Sequence, residues 1–74
     1  MTVTKTNREL IKSFLGIMRL LGVHASNAEA MVSMMQSPED MKELIDFTQS
    51  NSILTERVIM NKAIEIYDRS QGGV

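Results

Sequence analysis

The chain has 74 residues, room for one compact unit and none for a separate catalytic or regulatory domain. It contains no cysteine, which excludes a disulfide, a thiolate zinc site and an iron–sulfur cluster. Eight basic and nine acidic side chains leave a net charge of −1, so no overall field marks a nucleic-acid or membrane-surface protein, and 43% hydrophobic residues fits a globular chain rather than a disordered one.

Helix-start and helix-stop residues divide the sequence into four segments, with helices expected over about 7–21, 27–36, 38–48 and 53–69. Thr6 and Glu9 have the spacing of a capping box, in which hydroxyl and carboxylate each satisfy an orphan amide, and Gly22 suits the left-handed position that closes the first helix. Ser26 with Glu29 repeats the capping box at the second helix. Ser37 and Pro38 supply an N-cap and a first helical residue for the third, with Glu39 and Asp40 at the positive end of its dipole. The polar run Gln49-Ser50-Asn51-Ser52 competes for backbone hydrogen bonds and is expected to end that helix near Thr48; the fourth begins at Ser52 or Thr55 and reaches about Arg69. No segment alternates with a period of two between hairpin turns. The expected fold is therefore all-α, a small four-helix bundle of short antiparallel helices, one domain over 1–74 with frayed ends at about 1–5 and 71–74.

At about 100° per residue, Leu10, Phe14, Ile17, Met18 and Leu21 share one sector of the first helix. Lys5, Arg8, Lys12 and Arg19 form a basic stripe on another, beside Gly16, and Leu15 and Leu20 belong to neither. The third helix turns Met41, Leu44 and Ile45 inward and Glu39, Glu43 and Asp46 outward. On the fourth, Ile53, Met60, Ala63, Ile64 and Tyr67 make the main apolar face, Ile59 and Ile66 widen it, and Leu54 and Val58 lie outside it. Two helices thus carry more apolar surface than one contact face hides, and Leu15, Leu20, Leu54, Val58, Ile59 and Ile66 are the expected protein-interface residues. Seven methionines, with Met31, Met34, Met35 and Met41 close together, suit either an irregular core or an adaptable groove.

Catalysis has little to work with. His24 stands alone in a joint, the exposed pairs Glu39 with Glu43 and Glu65 with Asp68 have nothing to separate their acidities, and the glycines form no phosphate-binding loop. No metal, cofactor or small-molecule substrate is expected. The reading is a non-enzymatic helical interaction or regulatory module that self-associates or docks on a protein through apolar faces of its first and last helices. The alternative is nucleic-acid binding through a helix-turn-helix-like unit or through the basic stripe Lys5, Arg8, Lys12 and Arg19, disfavoured because Glu39 and Asp40 open the third helix. The apolar stretch 14–23 carries Arg19, is too short to span a bilayer and lies too far inside the chain for a secretory signal; a cytoplasmic location is expected, with peripheral membrane contact a minor option.

Overall fold

A computed structural model describes residues 7–72 and contains four helices: α1 (Asn7–Leu20), α2 (Ala25–Met34), α3 (Pro38–Ser50) and α4 (Glu56–Gly72). There is no strand among the described residues, and the helices pack into the small bundle that the sequence pattern predicts. Thr6, the first member of the expected capping box, and Lys5 lie outside the described residues.

Local chemistry explains where each helix stops and starts. Gly22 adopts φ +80°, its amide donates to the Arg19 carbonyl at 3.1 Å, and the Val23 amide donates to the Met18 carbonyl at 2.9 Å. These two bonds make a Schellman closure, which uses the orphan carbonyls of α1 and turns Val23 back into the core beside Met18. The chain leaves that closure already extended at His24 (φ −61°, ψ 140°), so His24, not Ser26, caps α2: its Nδ1 accepts from the Ser26 amide at 3.2 Å and its carbonyl from the Asn27 and Ala28 amides. At the far end α2 stops at Met34, two residues short of expectation, because Ser37 must be extended to cap α3, where its Oγ accepts from the Asp40 amide at 3.3 Å.

Helix α3 ends inside the polar run, two residues later than expected. Ser50 Oγ donates to the Asp46 carbonyl and Asn51 Nδ2 to the Phe47 carbonyl at 2.7 Å, so side chains satisfy the last carbonyls and α3 persists to Ser50. Helix α4 starts from Thr55, whose Oγ1 accepts from the Val58 amide at 3.2 Å, and continues past the expected end to Gly72.

Helix α1 packs on α2 and α3, and α4 packs on the same two, so α1 and α4 occupy opposite sides. Each helix contributes to one core: Leu10, Phe14 and Met18 from α1; Ala28 and Met31 from α2; Met41, Leu44 and Ile45 from α3; Ile59, Ala63 and Ile66 from α4. Of the seven largest fully buried side chains three are methionines, Met18, Met31 and Met41, while Met34, Met35 and Met60 are half-buried against the same cluster. The methionine group is therefore core filling: unbranched thioethers occupy the irregular space between helices of unequal length.

Helix α4 is rotated from the orientation its pattern suggests. Ile59, Ala63 and Ile66 point inward, whereas Ile64 and Tyr67, expected on the main face, are exposed and Ile53 lies before the helix altogether. Leu21, expected in the core, follows the end of α1 and is exposed.

Candidate functional site

The six expected interface residues separate into three groups. Ile59 and Ile66 are fully buried, which corrects their assignment as interface residues: an apolar arc this wide lets either flank face inward, and α4 turns these two into the core. Leu15 and Leu54 are half-buried against the core. Leu20 and Val58 are exposed, Leu20 by 89%. Two residues that the pattern assigns to the core, Leu21 and Ile53, join them at the surface, with Ile53 81% exposed.

These exposed side chains share one end of the molecule. Asn27 Nδ2 donates to Glu56 Oε2 at 2.9 Å, which holds the first turn of α2 against the first residue of α4. The joints before those helices, 21–24 and 51–55, therefore lie at the same end, and Leu20, Leu21 and Ile53 flank or occupy them. The other end is tied by Asp40, whose Oδ2 accepts from the Gln36 amide at 3.2 Å and from Ser70 Oγ at 3.0 Å, fastening the α2–α3 joint to the last turns of α4.

Charge is divided between the two halves. Every ion pair among the described residues lies on α3 or α4: Lys42 with Asp46, Lys62 with both Glu43 and Glu65, and Arg69 with Glu43. Glu43, expected on an outward face, is instead half-buried between Arg69 and Lys62, the latter 3.5 Å away. The hydrogen bond from Arg69 holds its carboxyl below the usual range against the opposing effect of burial. The Lys62 ammonium, 2.6 Å from Glu65 and 5.6 Å from the Phe47 ring centre, is raised chiefly by its hydrogen bond to Glu65. This cluster crosses from α3 to α4, so helix-by-helix sequence patterning does not reveal it; the available signal is the i,i+7 spacing of Lys62 and Arg69 on one flank.

Arg8, Lys12 and Arg19 are all exposed and take part in none of those pairs. Lys12 and Arg19 border a groove of about 560 Å³ between α1 and α2, with Leu15, Met18, Val23, Ala25 and Ala28 along it, Gly16 beside the cations and Glu29 on the α2 side. The lining has no hydroxyl, thiol or imidazole, and no group of three or more His, Cys, Asp or Glu side chains gathers among the described residues. No described helix is long and apolar enough to cross a membrane. No family model matches the chain, and no similar curated protein or solved structure is found.

Proposed function

We propose that this chain is a non-enzymatic helical interaction module that self-associates through the end bearing Leu20, Leu21 and Ile53. The observation that carries the reading is the 89% and 81% exposure of Leu20 and Ile53 at an end where two joints meet. Covering large aliphatic side chains that a lone chain leaves in water is favourable by roughly 25 cal/mol per Å² of apolar area. A small bundle, which buries about 60% of its unfolded surface, has much to gain from a second copy. The groove floor of Leu15, Met18, Val23, Ala25 and Ala28 is apolar, which supports a binding role over a catalytic one.

Sedimentation equilibrium across a hundredfold dilution tests this. The expected result is an average mass that rises with concentration and falls to that of a monomer in the double variant Leu20→Asp, Ile53→Asp with helical circular dichroism unchanged. A wild-type chain that stays monomeric throughout, without binding a dye for exposed apolar surface, sinks the reading.

Nucleic-acid contact through α1 is the second reading, favoured by the exposure of Arg8, Lys12 and Arg19. Its test is retention on heparin at physiological salt, lost in Arg8→Glu with Lys12→Glu. Flow-through at low salt ends it.

A further inference from the structure

Gly16 sits in the middle of α1, where a glycine costs about 1 kcal/mol of helix stability relative to alanine. Inside the molecule nothing requires it: its backbone is helical, and a Cβ built there meets no atom within 4 Å. By contrast Gly22 is fixed by its positive φ. The missing side chain at position 16 therefore leaves the α1–α2 groove open at that point. Lys12 and Arg19 flank the opening, Arg8 stands one turn before Lys12 on the same side of α1, and Ala25 and Ala28 keep the α2 wall low.

From this geometry we infer that the α1–α2 groove receives an amphipathic helix of a protein partner, whose apolar face lies along Leu15, Met18, Val23 and Ala28 and whose acidic flank meets Lys12 and Arg19. The choice of occupant rests on charge complementarity. The chain as a whole carries −1, yet this side of α1 is positive, and its cations are not engaged by ion pairs of the kind that hold Lys62 and Arg69 of α4. Removal of the Cβ at Gly16 allows a facing helix to approach closely, and the apolar floor takes side chains at i, i+4 and i+7 spacing. Glu29 on the opposite rim sets direction, because it opposes an acidic residue on the partner's other flank. A nucleic acid is the poorer fit: Glu29 faces the groove, and its lining holds no aromatic ring on which a base stacks. This inference goes beyond the self-association reading, since neither Leu20 nor Ile53 lines the groove.

The test is selection of binders to the wild-type chain from a displayed library of helical peptides with leucine fixed at i, i+4 and i+7 and all other positions randomised. Enriched sequences are expected to carry an excess of Asp and Glu on one flank. Affinity of the best peptide should fall at least tenfold in Lys12→Glu with Arg19→Glu, and also in Gly16→Leu, which fills the opening while α1 keeps its helicity. It should be unchanged in Leu20→Asp with Ile53→Asp, so that the groove and the self-association surface fail or succeed separately. No enrichment, enrichment of basic or uncharged flanks, competition by duplex DNA at equal affinity, or undiminished binding to Gly16→Leu each overturns the inference.

Discussion

The α3–α4 half and the α1–α2 half of this small bundle are built from similar helices and hold together differently. Between α3 and α4, polar side chains reach across: Arg69 and Lys62 meet Glu43, and Ser70 meets Asp40. Between α1 and α2 the Schellman closure and the buried apolar residues do the joining, and the outer surface is left as a groove with uncommitted cations. One seam is crossed by ion pairs; along the other the cations of α1 face outward. The lesson is that net charge near zero conceals a division of labour, in which Lys42, Lys62 and Arg69 of α3 and α4 are paired with nearby acids and Arg8, Lys12 and Arg19 of α1 are not.

The largest effects sharpen that contrast at the level of the core the halves share. Leu44→Ala removes a fully buried side chain from the middle of α3 and should cost about 2–5 kcal/mol in urea unfolding. Met31→Leu, its counterpart on α2, conserves volume where the surrounding thioethers can adjust, and should cost less than about 1.5 kcal/mol. A loss at Met31→Leu as large as that at Leu44→Ala would show that the surrounding thioethers do not adjust.

Two glycines, one inside α1 and one just past its end, give opposite signs. Gly22→Ala forces a side chain into the left-handed region and should destabilise by about 1–2 kcal/mol, whereas Gly16→Ala should stabilise by about 1 kcal/mol because its Cβ meets open space in a regular helix. Thermal unfolding of both variants decides it; a destabilising Gly16→Ala would show that something inside the molecule already occupies the groove.

The smallest effect concerns the charged seam. Glu43 has its acidity increased by Arg69, so its contribution is complete above the ordinary carboxylate range and is lost as pH falls through its lowered folded value. About a third of its side chain is exposed, which limits the contribution to about 0.5–1 kcal/mol. Glu43→Gln should therefore lower stability at neutral pH and flatten the acid side of the pH–stability curve. Added salt should narrow the difference between wild type and Glu43→Gln.

The sequence reveals whatever depends on neighbours along the chain. Gly22 and the Ser37-Pro38 pair mark their boundaries because capping is decided within a few residues, and the inward faces of α1 and α3 follow from a single apolar stripe that leaves little choice of rotation. Helix α4 is the opposite case. Its apolar residues occupy nearly half its circumference, so periodicity alone does not select Ile59 and Ile66 over Ile64 and Tyr67. Side chains on its two flanks match the rotation it adopts, Lys62 and Arg69 toward Glu43 and Glu56 toward Asn27, and these contacts span sequence separations of 26 and 29 for Arg69–Glu43 and Asn27–Glu56. His24 escapes notice for a subtler reason: an imidazole nitrogen replaces the usual hydroxyl or carboxylate cap once the preceding closure has set its backbone. Of the proposed interaction surface, Leu20 is readable as surplus, but Ile53 is not, because its exposure depends on α4 starting at Glu56 rather than before it.

The sulfur in the core makes the molecule its own chemical clock. Met34, Met35 and Met60 are open enough for peroxide to reach, while Met18, Met31 and Met41 are sealed until the helices part. Sulfoxide should accordingly accumulate in two waves, the second paced by spontaneous opening of the bundle, and each late oxidation plants a polar oxygen where the closed form has no room for water. Such damage is self-propagating: a chain oxidised once at Met31 opens more often and exposes the remaining thioethers sooner.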